Sequence, residues 1–403
     1  STQIIPFTAK VAPETEGQFD DDFWGSVDVV VNALDNVDAR KFVDSKCVFH
    51  QKPLLESGTL GTKSNVQPIV PSVTEGYSDG PEDQQEQDIP LCTLKSFPYL
   101  IEHTLAWAKE KFFTEFFHKP TQAALYVENG GDQYLERLDK DPKAKLKYLR
   151  YVDDMRGRNA PKIFADCIRW ARVLFEELFC NTILQLLSVY PADMVSEKDG
   201  TTFWNSDGKK KCPHPIAFDP SNTGHMTFIE AASSLRAKIF GITITGNQNK
   251  DTGFLKGVIA RTSIEAFVPN KKLKVAATED EAKELGDAEA EVYEDLDELY
   301  AALFTSIKST ADEEYCYAIE TFEKDDDSNY HMRFVTATSN LRAAAYGIPQ
   351  ADLMTSKKIV GRIIPAIATT TALTAGAVVF ELYKILQLPA MLEDDAGNGA
   401  NML

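Results

Sequence analysis

Val27-Asp28-Val29-Val30-Val31-Asn32-Ala33-Leu34 is a nearly continuous run of β-branched and apolar residues that stops at Asp35-Asn36. Such a run reads as a strand covered on both faces in a parallel sheet. Val37 to Phe49 then carries Val37, Phe42, Val43 and Cys47 at helical spacing, and Pro53-Leu54-Leu55-Glu56-Ser57 reads as a second short strand. The result is a β-α-β unit with polar residues at the carboxyl end of its first strand, where ligands sit in open α/β sheets. Gly58-Thr59-Leu60-Gly61-Thr62-Lys63 follows as a small-residue loop, and the α/β pattern ends near Val73.

The character of the chain then changes. Ser78 to Asp88 is polar and acidic and reads as a mobile crossover loop. From Phe97 to about Leu187 helical periodicity dominates: Ile101, Leu105, Ala108 and Phe112, then Ile163, Cys167, Trp170, Ala171, Leu174, Phe175 and Leu178. A weak repeat follows. His225-Met226-x-Phe228-x-x-Ala231-x-Ser233-x-Leu235-Arg236-Ala237, ending Gly241-Ile242, is answered by His331-Met332-x-Phe334-x-x-Ala337-x-Ser339-x-Leu341-Arg342-Ala343, ending Gly347-Ile348. Two similar helices in a duplicated core are expected, each opened by an acidic or Asn-rich loop, with His225 and His331 as helix-end or core residues. Between them, 279–298 is an acidic, Ala-rich stretch expected to be a solvated loop. Lys357 to Leu388 supplies a short apolar strand at Ile363-Ile364 and an Ala/Thr-rich helix that packs back on the α/β unit, so the helical domain reads as inserted.

The 403 residues are 43% hydrophobic, as in a globular protein of two or three domains, and carry a net charge of −19. That charge argues against nucleic acid or an anionic membrane as partner. Ile363 to Phe380 lacks charge but is diluted by Pro365, threonines and alanines, so it reads as a buried helix rather than a membrane span. Cys47, Cys92, Cys167, Cys180, Cys212 and Cys316 form no C-x-x-C pair and imply reduced thiols. Lys211-Cys212-Pro213-His214 is too small a set for a metal site.

Cys92 stands out among these, lying between Pro90 and Pro98 in a turn expected to be rigid and accessible. Lys95 offers positive charge to a thiolate and Thr93 a hydroxyl, whereas Glu82, Asp83, Glu86 and Asp88 oppose ionisation. His103 is the nearest histidine in sequence and a possible base. Asp35 at a strand end suits either a magnesium ion or, with Asn36, the cap of the next helix. Asp38 and Arg40 are expected to pair with each other or with solvent. No G-x-G-x-x-G follows an early strand and no G-x-x-x-x-G-K-[ST] occurs, so a complete nucleotide cradle is missing.

Val31-Asn32-Ala33-Leu34-Asp35-Asn36-Val37-Asp38-Ala39-Arg40, Lys52 to Lys63, the Pro90 to Pro98 turn, Phe322 to Asn329 and Ile363 to Thr371 together resemble the ubiquitin-activating enzymes, in the right order along most of the chain. The resemblance implies that Cys92 takes ubiquitin from its adenylate as a thioester and passes it to a ubiquitin-conjugating enzyme. It implies that Thr93 and Lys95 line the thioester site, and that Asp35 and Asn36 belong to an ATP-Mg2+ site with Asp35 as the metal ligand. The fold it implies is α/β plus mostly α. A partial Rossmann-like adenylation domain (1–88 with the crossover loop, and 350–403) is interrupted by a large helical catalytic-cysteine domain (89–349). Partners would be ubiquitin and conjugating enzymes, with no nucleic acid and no membrane, for a monomer in cytoplasm and nucleus. The glycine-rich nucleotide loop of those enzymes would lie before Ser1, and their ubiquitin-fold domain is absent after Leu388, so the chain reads as a fragment. Two other readings stay open: a non-catalytic truncated relative that binds ubiquitin or a conjugating enzyme, and an activator of another ubiquitin-like protein.

Overall fold

A computed structural model describes residues 3–79, 89–131, 133–134, 142–157, 160–195, 200, 202–204, 210–271, 273–278, 280–281, 296–308, 316–363 and 367–398. The expected crossover loop beyond residue 79 and most of the acidic stretch 279–298 lie outside the described residues. The described residues are mostly helical with one small mixed sheet, and the chain divides into two compact units, Ser1–Asp88 with Ile364–Leu403, and Ile89–Ile363.

The first unit begins with α1 (Asp21–Ser26), β1 (Val30–Val31), α2 (Val37–Phe49), β2 (Leu54–Leu60) and β3 (Lys63–Ile69). β1 runs parallel to β2, pairing Val30 with Leu54 and Val31 with Leu55, and β3 returns antiparallel to β2. The β-α-β reading holds, with two corrections. Only two residues of the Val27–Leu34 run pair as strand, and Val31 is 50% exposed, so that run is not covered on both faces. Gly58-Thr59-Leu60, expected as loop, continues β2, and Gly61 takes the left-handed turn (φ 62°) that starts β3. Phe19, Trp24, Val43, Cys47, Leu54 and Ile69 form the core of this unit.

The second unit contains α3 (Leu91–Lys95), α4 (Ile101–Phe113), α5 (Lys119–Glu128), α6 (Pro142–Arg156), α7 (Phe164–Glu176), α8 (Thr182–Val189), α9 (Thr223–Ile239), α10 (Thr252–Ile259), α11 (Leu296–Lys308), α12 (His331–Ala345) and α13 (Leu353–Val360). The expected repeat is present as α9 and α12, which pack on each other. Each ends alike. Gly241 and Gly347 adopt φ of 63° and 61°, and Ile242 and Ile348 donate back to the carbonyls of Ala237 and Ala343 at 2.8 Å, closing a left-handed helix cap.

The duplication extends to two helices that the sequence reading left unpaired. α4 and α7 each run into a π-helical turn, Thr114–His118 and Glu177–Asn181, and then into α5 and α8. α4 packs on α12 as α7 packs on α9. Matched contacts follow: Phe116 meets Phe334 at 5.0 Å between ring centroids and Phe179 meets Phe228 at 5.4 Å, while Phe112 meets His331 at 4.7 Å and Phe175 meets His225 at 5.0 Å. These rings are buried, and each such pair adds about 0.5–1.5 kcal/mol beyond its area. α13 packs on α4 and α12, so the helical unit runs past residue 349 to Ile363.

α14 (Ala368–Asn398) belongs to the first unit and packs on β2 and β3 through a face that buries Thr370, Thr374 and Ile385. Ile363 is not in a strand, and Ile364 lies outside the described residues. No helix among the described residues is long and apolar enough to cross a membrane.

Candidate functional site

Cys92 lies on α3, a five-residue helix capped by Pro90, which corrects the expected proline-bracketed turn. Pro90 supplies an extended backbone (φ −51°, ψ 137°), from which the chain winds at once into helix because no amide is needed there. Leu94 N–H donates to Pro90 O at 2.9 Å, and Ser96 and Phe97 N–H donate to Cys92 O at 2.9 and 3.0 Å. Phe97 is buried among Tyr190, Phe203 and Trp204, and so anchors the chain where it leaves the helix. Cys92, Thr93 and Lys95 are all half-buried. Cys92 and Lys95, three apart, share one face of α3.

A short helix leaves its last carbonyls without partners. Here Arg342, on α12, donates from Nη2 to Leu94 O at 3.3 Å and to Lys95 O, and the Tyr346 hydroxyl donates to Ser96 O at 2.8 Å. The Arg342 guanidinium sits 4.0 Å from the Trp107 ring centroid and is 2% exposed. Burial pushes its pKa down, with Tyr346 and Glu110 opposing, and arginine remains a cation. Charge-assisted bonds of about 1.5–3 kcal/mol each, and a desolvated cation–π contact of about 2 kcal/mol, offset a burial penalty of several kcal/mol. In the other copy of the repeat Arg236 lies 4.6 Å from Trp170.

Of the remaining cysteines, Cys47 and Cys167 are buried, while Cys180 and Cys212 are half-buried like Cys92. Burial pushes the Cys47 and Cys167 thiols up to about 12, burial with the Glu176 carboxylate pushes Cys180 up to about 11, and burial raises Cys212. A thiol held protonated is a poor nucleophile. Cys316 is exposed and lies on no helix or strand. His103 is buried at the start of α4 with Nδ1 accepting from Tyr99 N–H at 3.4 Å, and burial lowers its pKa. Among the described residues there is no metal-holding group of three or more His, Cys, Asp or Glu.

Asp35 and Asn36 are exposed in the turn between β1 and α2. Asn36 is the N-cap of α2, its Oδ1 accepting from Ala39 N–H at 2.8 Å, while its Nδ2 reaches Asp35 Oδ1 at 3.4 Å. Behind them is a buried network that the sequence reading missed. Glu56, fully buried on β2, accepts from Asn32 Nδ2 at 2.7 Å and pairs with Arg40 Nη1 at 2.8 Å. Arg40 also donates to Leu34 O at 2.5 Å, so it braces the strand end rather than pairing with Asp38 or solvent. Burial raises the Glu56 carboxyl, against Asn32 and Arg40. The signal was Glu56 itself, a charge inside the apolar Leu54-Leu55 strand. An exposed carboxylate beside a helix cap does not by itself make a magnesium-phosphate site, since that ion takes one or two carboxylates plus phosphates. The described residues do not complete it.

Residues 98–357 match the family described as "Ubiquitin-activating enzyme, SCCH domain", a segment that begins just after Cys92. The chain is 44% identical over 381 residues to "Ubiquitin-activating enzyme E1 1" of Candida albicans (strain WO-1), covering 94% of this chain and 36% of the relative. It is 43% identical over 380 residues to "Ubiquitin-like modifier-activating enzyme 1" of Homo sapiens, covering 94% and 34%, and 40% identical over 395 residues to "Ubiquitin-activating enzyme E1 2" of Arabidopsis thaliana, covering 98% and 36%. The chain thus spans about a third of the length of these relatives. With a matched segment of this extent and such identities along nearly its whole length, the chain belongs to the ubiquitin-activating enzyme family.

Proposed function

We propose that this chain is the thioester-forming region of a ubiquitin-activating enzyme, together with parts of its ATP-dependent adenylation domain. The observation that carries the reading is the placement of Cys92: it lies half-buried on a short helix that Pro90 caps and whose C-terminal end Arg342 and Tyr346 hold, whereas burial raises the pKa of the Cys47, Cys167, Cys180 and Cys212 thiols. The Cys92 thiolate attacks the carbonyl carbon of the acyl adenylate at the ubiquitin C-terminus. The C–O bond to AMP breaks, AMP leaves, and the thioester forms, the thiol proton having passed to solvent or a base. A conjugating-enzyme thiolate then displaces Cys92 from the same carbonyl. Thr93 offers its hydroxyl, and Lys95 its positive charge, on the turn that carries the sulfur.

Residues 1–88 and 364–403 are assigned to a Rossmann-like adenylation domain interrupted by the catalytic-cysteine domain, 89–363, which ends later than the 349 expected from sequence. Asp35 serves there as a magnesium ligand and Asn36 as an ATP-site residue, with the rest of that site supplied from elsewhere in the enzyme. Six thiols without a disulfide suit a reducing compartment such as cytoplasm or nucleus. In the full-length parent, Cys92→Ala should retain ATP–pyrophosphate exchange and lose the reducible ubiquitin adduct on a non-reducing gel. Persistence of the adduct would refute the reading.

A further inference from the structure

The two copies of the repeat use matched residues differently. Arg236 closes on a carboxylate, with Nη1 2.9 Å from Asp154 Oδ2 and Nη2 2.7 Å from Asp154 O. Arg342 makes no ion pair with a carboxylate among the described residues, and its donors go to main-chain oxygens of α3. Four residues after each arginine the copies differ again: Phe240 in the first, Tyr346 in the second, and only the second has a hydroxyl to give to Ser96 O.

Ser96 joins that hydroxyl to the cysteine, because its own N–H donates to Cys92 O. A helix of five residues is too short to hold its shape by its own hydrogen bonds. Its geometry is therefore set by what grips its ends. Pro90 grips the front, and Arg342 and Tyr346 grip the back. We propose that Arg342 and Tyr346 are positioning residues for Cys92, fixing the last turn of its helix and hence the approach of the sulfur to an activated acyl carbonyl. The inference rests on Cys92 being the accepting thiol.

The test uses Arg342→Gln, Arg342→Lys and Tyr346→Phe, with Arg333→Gln as control, since Arg333 shares α12 but forks onto Glu230. Two readouts are taken: the pH profile of Cys92 alkylation by iodoacetamide in the full 403-residue chain, by peptide mass spectrometry, and single-turnover thioester formation in the full-length parent. Arg342→Gln should slow thioester formation by roughly tenfold or more at saturating ubiquitin, as expected when a reacting group is misplaced. It should also move the alkylation profile to higher pH, because a cation that favours the thiolate is gone. Arg342→Lys should restore the profile in part, Tyr346→Phe should slow thioester formation without moving the profile, and Arg333→Gln should change neither.

Unchanged alkylation and transfer in a folded Arg342→Gln protein overturns the proposal, as does an equal effect of Arg333→Gln. Should Arg342→Gln fail to fold, Tyr346→Phe decides, and an unaltered transfer rate overturns it. Failure of the underlying reading is separate: there the Cys92→Ala parent keeps its ubiquitin adduct whatever the Arg342 variants do.

Discussion

His225 shows how a residue that invites a chemical role can be fully occupied by architecture. Its ring is buried against Phe175, and Nδ1 accepts from Asp219 N–H at 3.0 Å, just as His331 Nδ1 accepts from Glu323 N–H at 3.0 Å. An acceptor nitrogen means a neutral ring. Burial holds its pKa below the ordinary 6.5, outweighing Asp219. The unfolded chain therefore takes up a proton more readily than the folded one, so this contribution to stability is full above 6.5 and is lost as pH falls towards the depressed folded value. The urea midpoint of the chain should drop between about pH 7.5 and 5.5, and His225→Gln, which keeps an acceptor without titrating, should flatten part of that drop. A decline of unaltered steepness in the variant would show that His225 does not govern it.

Legibility at this scale followed sequence distance. Asn36 as a helix cap and Cys92 beside a proline are local patterns, and both were readable. Arg342 was not, because its oxygen partner lies 247 residues upstream and is main chain, so no side-chain type marks it. Arg40 was assigned to a neighbour on its own helix for the same reason, with Glu56 sixteen positions away on another element.

At the scale of elements, helical period survived translation into structure better than strand length did. α2 spans Val37–Phe49 as its spacing indicated, whereas the eight-residue β-branched run yielded a two-residue strand. A strand needs a paired neighbour along its length, and β1 meets β2 at only two positions. The π-helical turns were invisible because an inserted residue in a helix leaves composition untouched. The α4 and α7 duplication was available in Trp107-Ala108 with Phe112 and Phe116 against Trp170-Ala171 with Phe175 and Phe179. The two copies join where Phe228 of α9 meets Phe334 of α12 at 5.7 Å. Phe334→Ala should cost about 3–5 kcal/mol by chemical denaturation, the range for a fully buried phenylalanine. A loss below about 1 kcal/mol would mean that this junction relaxes around the cavity.

For the molecule as a whole, adenylation and thiol capture are expected to separate. Around the turn from β1 to α2 the described residues offer exposed Asp35, the Asn36 cap and a buried Glu56–Arg40 brace, and no phosphate cradle. The 403-residue chain alone should give no ATP–pyrophosphate exchange, while Cys92 should still alkylate with a defined pH profile; robust exchange would contradict the assignment of the ATP site to a larger assembly.

The placement of α14 has a consequence for biogenesis. It covers β2 and β3, yet the ribosome makes it only after the entire helical unit has emerged. At about 5–20 residues per second, the hairpin waits uncovered for on the order of tens of seconds. The helical unit, continuous in sequence, can complete its core in that interval. The smaller unit closes last, and during synthesis it is the part of the nascent chain that chaperones have reason to shield.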